Sequence, residues 1–221
     1  MIEVVSATRR DQLGFNATPL GISLDRLSFD KRLRPQVSFG NSLGLPEIYN
    51  SRLGAASESD ILLFVHDDVW IDDYFIADRI VDGLSHNDVI GVAGNTRSPD
   101  EHVGWCFKNE QYEWDLPNLS GAVAHGGTPF GKITEFGPSL RPCELLDGVL
   151  LATRRSVLVA AHVLFDIRFD FHFYDLDFCR SARAAGLGLR TWPIAITHNS
   201  GGSFGTDRWR TALARYREKW H

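Results

Sequence analysis

The sequence predicts an α/β fold built on a mixed, mostly parallel sheet that is flanked by helices. Two observations support this prediction. Apolar runs of strand length alternate along the chain with stretches whose apolar residues recur at helical spacing, and such alternation favours a largely parallel sheet. In addition, residues 61–65 are all apolar, as in a strand buried on both faces, and His66, Asp67 and Asp68 follow them directly. Ligands of open α/β sheets collect at this carboxyl end of a strand.

Each element of the first half has a local signal. Short apolar runs predict strands, and apolar or small residues that recur every three to four positions predict helices. In chain order the predictions are a strand at 2–6, a strand at 36–39, a helix at 45–57 with Pro46 in its first turn, the strand at 61–65, a helix at 72–84 and a strand at 89–94 that ends in glycine. Residues 11–34 mix apolar residues with turn formers and support no firm prediction.

The second half is less regular. Residues 95–142 are punctuated by Gly, Pro, Asn and Ser, so we expect little regular structure in a segment that is either functional or mobile. Helical spacing from Asp175 towards Gly186 predicts a helix, and residues 193–197 resemble a strand. The stripe formed by Trp209, Leu213, Tyr216 and Trp220 predicts an amphipathic C-terminal helix. We expect it to dock on the core, with contact to a membrane surface or to an oligomer partner as the alternative.

Composition narrows the class of protein. A chain of 221 residues with 43% hydrophobic content is expected to form one domain with a sizeable core. The formal net charge of −5 and the scattered basic residues argue against a nucleic-acid partner. Cys106, Cys143 and Cys179 show no paired metal-ligand spacing, which suits a reducing compartment. Neither a membrane-spanning run nor a secretory signal pattern is present, so we expect a cytoplasmic protein, with peripheral membrane attachment left open.

Two acidic clusters each allow more than one role. Paired carboxylates beside the imidazole at 66–68 suit a hard divalent cation that keeps open positions for phosphate oxygens; solvated acids in a turn are the alternative. Asp175 lies near a predicted helix N-terminus, where the macrodipole and free amides favour an ionised carboxylate. That position suits a helix cap as well as a catalytic acid, and Asp177 could equally be the cap.

Three ordered segments resemble the signatures of family 2 inverting glycosyltransferases. They are residues 66–69 after the apolar strand, residues 146–155, and residues 174–180 followed by an Ala-Gly pair. The resemblance extends from Val4 to His198. It implies a GT-A fold, with a Rossmann-like nucleotide-binding half at about residues 1–94 and an acceptor-binding, catalytic half at about residues 95–221 of one domain.

The resemblance also implies a nucleotide-sugar donor, with a UDP-sugar as the expected one, and a divalent cation, Mn²⁺ or Mg²⁺. Asp68 would be the principal metal ligand. His198 would complete the metal site, ahead of a Gly/Ser-rich segment that we interpret as a lid. The donor contacts implied at matching positions are Thr8, Arg9, Asn50, His66, Asp67 and Asp147. Structural roles stay open for Asn50 as part of a polar helix face, for Asp147 as a turn acid, and for His198.

On the acceptor side, Asp175 occupies the position of the family's general base. The reaction needs a carboxylate that can accept the acceptor hydroxyl proton on the face opposite the leaving diphosphate, so that in-line attack inverts the anomeric centre. Tyr174 replaces the acid that precedes this base in the family, and Asp177 is a reserve candidate. Trp105 and Trp114 are either local hydrophobic plugs or faces on which an acceptor sugar stacks.

The sequence therefore predicts a hexosyl- or deoxyhexosyltransferase that uses a saccharide or a lipid-linked acceptor. Two other classes remain open. One is a noncatalytic sugar-nucleotide or glycan-binding module of the same fold, because His66 and Tyr174 replace two acids of the family pattern. The other is a nucleotidyltransferase, although residues 7–10 lack the glycine expected of its phosphate loop.

Overall fold

A computed structural model describes residues 1–99, 102–200 and 202–220. The strands are β1 Ile2–Ala7, β2 Leu33–Ser38, β3 Ile61–Val65, β4 Val69–Ile71, β5 Val89–Gly91, β6 Ala93–Asn95, β7 Leu119–His125, β8 Lys132–Gly137, β9 Pro142–Cys143, β10 Leu145–Leu146, β11 Leu150–Arg154, β12 Leu189–Thr191 and β13 Ile196–His198. The helices are α1 Gln12–Phe15, α2 Pro19–Arg26, α3 Leu45–Leu53, α4 Ile76–His86, α5 Arg155–Ala160, α6 Tyr174–Ala184 and α7 Asp207–Trp220, with a 3-10 turn at Leu116–Asn118.

The first sheet has the strand order β2-β1-β3-β11-β5-β12-β9. β1 is parallel to both β2 and β3, so the carboxyl ends of these three strands lie at one edge. β11 enters antiparallel between β3 and β5, with Leu150 opposite Val65. The turn at residues 147–148 therefore lies beside His66, whose amide donates to the Val149 carbonyl at 3.3 Å.

The second sheet has the strand order β10-β6-β7-β13-β4, and β8 pairs with β7 outside this path. β13 runs antiparallel to β4, with His198 opposite Val69. One residue further, the Asn199 amide donates to the Asp68 carbonyl at 2.9 Å. This register brings the end of β13 next to the acids that follow β3, although the two segments are far apart in the sequence.

Two segments differ from the sequence predictions. Residues 11–34, for which no element was predicted, form α1 and α2, whose first turns are capped by the side chains of Asp11 and Thr18. The expectation of little regular structure in residues 95–142 is wrong for β7 and β8, which form an antiparallel hairpin. β7 is rich in small residues, and its pairing with β6, β8 and β13 stabilises it more than its intrinsic strand propensity does. The predicted strand at 89–94 is split, because β5 and β6 belong to different sheets.

Helix α7 buries its apolar stripe against the rest of the chain. Trp209, Ala212, Leu213 and Tyr216 belong to the same hydrophobic core as the buried strands. The predicted docking on the core is confirmed, and this face is not available to a membrane or a second copy.

Among the described residues no helix combines the length and the apolar character needed to cross a membrane. The three cysteines are buried and unpaired with one another.

The C-terminal end of α7 is held by one buried acid on α6. Asp177 is fully buried, and its Oδ1 lies 2.6 Å from Lys219 Nζ. The indole Nε1 of Trp220 donates to the same oxygen at 2.8 Å. Lys219 also pairs with Asp166 at 2.9 Å. Because Lys219 and Trp220 both bind Oδ1 of Asp177, the acid connects α6 to α7, and it does not line the cavity at the ends of β3 and β13.

We expect Asp177→Ala to lower the free energy of unfolding by about 1–3 kcal/mol, because it removes the acceptor of the Trp220 indole N–H and one of the two carboxylates that pair with Lys219. Urea unfolding of the purified protein measures this change. Asp207→Ala is the control, since that acid lies at the other end of α7 and is fully exposed; its effect should stay within about 0.5 kcal/mol. Equal effects of the two substitutions would contradict the proposed role of Asp177.

Candidate active site

A cavity of about 490 Å³ opens at the ends of β3 and β13, beside the N-terminus of α6. Five of the residues predicted to be functional line it together: His66, Asp68, Asp147, Asp175 and His198. The rest of the lining is mainly aromatic and apolar, and includes Trp105, Cys106, Phe107, Trp114, Phe136, Phe171, Phe173, Phe204 and Trp209. Titratable groups in a largely apolar cavity are the usual arrangement of a small-molecule site.

His66, Asp68 and His198 form a cluster that could hold a metal ion. One ligand atom of each residue lies within 4.8 Å of the ligand atoms of the other two. Asp68 Oδ1 is buried and lies 3.3 Å from His198 Nε2 without forming a regular hydrogen bond. An under-coordinated carboxylate oxygen facing imidazole nitrogens is the donor set that a divalent transition metal prefers.

The pKa values of His66 and Asp68 suit metal binding, whereas the raised pKa of His198 means that this ring must release its proton to bind a metal. Burial lowers the pKa of His66, which favours the neutral imidazole that binds metals. Burial, the largest single cause, would raise the pKa of Asp68, but the interactions with His198 and His66 together leave the pKa below its ordinary value. The interaction with Asp68 raises the pKa of His198 against the effect of burial. The Asp68 carboxylate is therefore ionised at neutral pH.

Asp175 lies in the first turn of α6 and reaches the cavity through the turn at residues 147–148. The Gly148 amide donates to Asp175 Oδ2 at 3.0 Å. A Cβ on Gly148 would lie 2.3 Å from Tyr174 Oη and 2.8 Å from Asp175 Cβ, so only glycine permits this approach. The preceding Phe173 has φ of 66°, a left-handed conformation that bulky residues rarely adopt.

Helix α7 stabilises that unusual turn. The Phe173 ring packs against Trp209 and Tyr216, with centroid distances of 5.5 and 5.2 Å. Strained backbone of this kind persists where the surrounding structure holds it, and it is frequent at functional sites. The packing of α7 therefore helps to direct Asp175 into the cavity.

The pKa of Asp175 is raised to about 7. Burial is the main cause, and the nearby Asp147 carboxylate is the second, while the Gly148 amide acts in the opposite direction. Asp147 itself accepts a hydrogen bond from the Val149 amide at 3.0 Å, as a turn acid does. A carboxyl group with a pKa near neutrality is suited to exchanging protons with a substrate.

Aromatic side chains form much of the remaining wall of the cavity. Phe107 packs edge-on against Trp114 at 5.1 Å and against Phe204 at 5.0 Å, and Trp114 stacks on Phe136 at 5.9 Å. A buried network holds the segment that carries them, because Asp115 accepts from Arg97 at 2.7 Å and from Asn95 at 3.0 Å. The wall is therefore built into the fold despite its irregular backbone.

Four of the predicted donor contacts do not line this cavity. Thr8 and Arg9 follow β1, which is parallel to β3, so they lie at the same sheet edge; Thr8 is buried and Arg9 is exposed. Asp67 lies in the turn after β3, and its carbonyl accepts from the Leu20 amide at 3.2 Å. The side-chain amide of Asn50 donates to the Phe165 carbonyl at 2.7 Å and accepts from the Phe165 backbone amide at 2.9 Å. Its side chain thus connects α3 to the segment before α6.

Part of the predicted lid faces the same cavity. Ser200, Gly202, Ser203 and Phe204 line it beside the metal-ligand cluster. Gly201 lies outside the described residues.

Sequence reasoning missed one contact at the centre of the site. His66 Nε2 lies 2.8 Å from Tyr174 Oη, although the two residues are 108 positions apart. Both residues depart from the pattern of the family that the sequence resembles, but nothing local in the sequence indicates that they meet.

Comparison with known proteins rests on structure. No protein-family model and no curated protein matches the chain. Among solved structures, S. aureus TarS superposes with a TM-score of 0.50 at 13% identity, over 98% of this chain and 38% of that chain. The mannosyltransferase PcManGT from Pyrobaculum calidifontis, in complex with GDP-Man and Mn²⁺, gives 0.49 at 12% identity, over 97% of this chain and 61% of that one.

A third solved structure is the catalytic domain of Drosophila beta1,4galactosyltransferase 7 in complex with xylobiose, with a TM-score of 0.47 at 11% identity, over 96% of this chain and 79% of that chain. The mixed sheets flanked by helices confirm the predicted α/β class, and TarS shares this fold. The expectation that the strands are mostly parallel is wrong, because seven of the eleven strand pairings among the described residues are antiparallel. At such low identity the likeness concerns the fold alone, and the chain spans well under half the length of TarS.

We expect the raised pKa of Asp175 to make the metal-free protein less stable as the pH rises. Between the ordinary value of 3.8 and about 7, the folded state binds more protons at this group than the unfolded state does, so the free energy of unfolding falls with increasing pH. Asp175→Asn lacks this contribution. From pH 5 to pH 8, the free energy of unfolding of Asp175→Asn should therefore rise by about 2 kcal/mol relative to that of the native protein. Urea unfolding at each pH measures this difference. A constant difference across that range would contradict the raised pKa.

Proposed function

We propose that this chain is a metal-assisted, inverting glycosyltransferase that moves a sugar from a nucleotide-diphosphate donor to a hydroxyl acceptor. One observation carries the proposal: a half-buried acid with a pKa near 7 and a metal-ligand cluster of two imidazoles and a carboxylate line the same cavity. The fold that the chain shares with TarS and the ordered resemblance of three segments to family 2 enzymes support it.

In this proposal Asp68 and His198 hold the divalent cation, and His66 lies within reach of the same ion. The orphaned Asp68 Oδ1 and the neutral His66 ring fit such a group. When bound, a divalent cation neutralises the charge that develops on a leaving diphosphate. Thr8, Arg9 and Asp67 remain predicted contacts of the nucleotide, along the shared edge of β1 and β3. Asn50 on α3 remains one too, although its side chain binds the Phe165 backbone.

Asp175 is the proposed general base. Its Oδ2 is oriented by the Gly148 amide, and its burial keeps the proton affinity high enough to accept the proton of an acceptor hydroxyl. Asp177, the reserve candidate, is buried against α7 and does not line the cavity. The geometry therefore favours Asp175 for this role.

The aromatic wall is the proposed acceptor side. Sugar rings and apolar lipid carriers both bury well against aromatic side chains such as Trp105 and Trp114, which line the same cavity as the acids. This wall supports a saccharide or lipid-linked acceptor. A noncatalytic binding module would use the same cavity, and turnover separates the two functions.

We expect one nucleotide-sugar to raise the melting temperature of the native protein in the presence of Mn²⁺ or Mg²⁺, with UDP-sugars first in the panel. The metal-dependent part of the shift should be lost in Asp68→Ala, because that substitution removes the only carboxylate of the cluster. Asp82→Ala, an exposed acid on α4, is the control that should keep the shift. Absence of a shift with every donor under both metals would contradict donor binding.

With the donor so identified, we expect Asp175→Asn to bind it as tightly as the native protein does but to release nucleoside diphosphate at least ~100-fold more slowly in the presence of saccharide or lipid-linked acceptors. Asp82→Asn should transfer at the native rate. A native protein that binds the donor but does not turn over with any acceptor would favour the noncatalytic module. An active Asp175→Asn would exclude Asp175 as the base.

A further inference from the structure

The two residues that replace acids of the family pattern contact each other. His66 Nε2 and Tyr174 Oη are 2.8 Å apart, and Tyr174 is 2% exposed. Phe171 stacks on the His66 ring with a centroid distance of 5.8 Å and an interplanar angle of 28°. The imidazole is thus held both in its plane and at one nitrogen.

The hydrogen bonds of Tyr174 determine which nitrogen of His66 carries the proton. The Tyr174 hydroxyl donates to the Gly148 carbonyl at 2.9 Å. A carbonyl oxygen only accepts, and a tyrosine hydroxyl has one proton to donate. With that proton donated to Gly148, the Tyr174 hydroxyl accepts from His66, which assigns the proton of the neutral imidazole to Nε2. The Nδ1 lone pair is left free for another partner.

His66, which carries this free lone pair, lies beside Asp68 and His198. One ligand atom of His66 is within 4.8 Å of a ligand atom of each of these two residues. Since Tyr174 engages Nε2, Nδ1 is the nitrogen of His66 that remains for a metal. A histidine ligand whose second nitrogen donates to a fixed acceptor is held in one tautomer and orientation, which increases metal affinity.

We infer that Tyr174 is a positioning residue that presents His66 Nδ1 as the third ligand of the proposed metal site, and that this site selects a transition-metal ion over Mg²⁺. Two imidazoles and one carboxylate form a donor set suited to Mn²⁺, Fe²⁺, Co²⁺ or Zn²⁺, whereas Mg²⁺ prefers oxygen ligands and retains its waters. The inference rests on the proposed function only in assigning a metal to this cluster, and it can be tested without a donor or an acceptor.

The test is direct titration of the metal-free protein with Co²⁺, Mn²⁺ and Mg²⁺ by calorimetry, with the visible absorption of bound Co²⁺ as a second readout. The native protein should bind Co²⁺ and Mn²⁺ more tightly than Mg²⁺, and Co²⁺ absorption should report nitrogen ligands. Tyr174→Phe should lose about 10–100-fold in Co²⁺ affinity, because the orientation of His66 is no longer held. Tyr112→Phe, which removes a hydroxyl away from the three ligands, should bind as the native protein does.

A double-mutant cycle distinguishes positioning from a general structural effect. In a His66→Ala background, Tyr174→Phe should cause no further loss of Co²⁺ affinity, since the residue that Tyr174 orients is gone. His66→Asp should move the preference towards Mg²⁺ and provides a variant independent of Tyr174→Phe. Native Co²⁺ affinity in Tyr174→Phe, the same loss in both backgrounds, or tighter binding of Mg²⁺ than of Mn²⁺ and Co²⁺ by the native protein would each overturn the inference.

Failure of this inference differs from failure of the proposed function. A protein that binds Mg²⁺ best but transfers a sugar would retain the function and refute the role of Tyr174. A protein with the expected metal preference that neither binds nor uses any nucleotide-sugar would refute the function and retain the metal site.

Discussion

The site depends on the close approach of the first turn of α6 to the backbone at Gly148. The Gly148 amide donates to Asp175 and its carbonyl accepts from Tyr174, so one residue orients both side chains. Any side chain at this position would overlap Tyr174 Oη, since even a Cβ would lie 2.3 Å away. The position of the proposed base and the tautomer of His66 therefore follow from the absence of a single side chain.

Helix α6 is held on its other side by α7. Phe173 packs on Trp209 and Tyr216 just before the helix begins, and Asp177 binds Lys219 and Trp220 one turn further on. These contacts explain how an acid can remain buried enough to have a raised pKa. Burying the Asp175 carboxylate costs free energy. The packing of α6 against α7 offsets this cost, as is common at functional sites.

His66 and Tyr174, the two departures from the pattern of the family that the sequence resembles, have a shared physical meaning. With acids at both positions, the cavity would hold two further negative charges close to Asp68, Asp147 and Asp175. A neutral imidazole and a phenol remove this repulsion and form a hydrogen bond instead. His66 and Tyr174 therefore form a matched pair rather than two independent losses, and a change at one alters the environment of the other.

Local patterns in the sequence were sufficient for β3 as a buried strand, for Asp68 at its end, for Asp175 in the first turn of a helix and for His198 at the end of a strand. Each depends on periodicity or on neighbouring residues. The caps of α1 and α2, Asp11 and Thr18, were also local signals, although they were weaker than the surrounding turn formers. Only the tertiary structure decided that β11 enters beside β3, that β7 and β8 pair, and that His66 meets Tyr174 across 108 residues. Strand order and register arise from contacts between distant residues, which local periodicity does not encode.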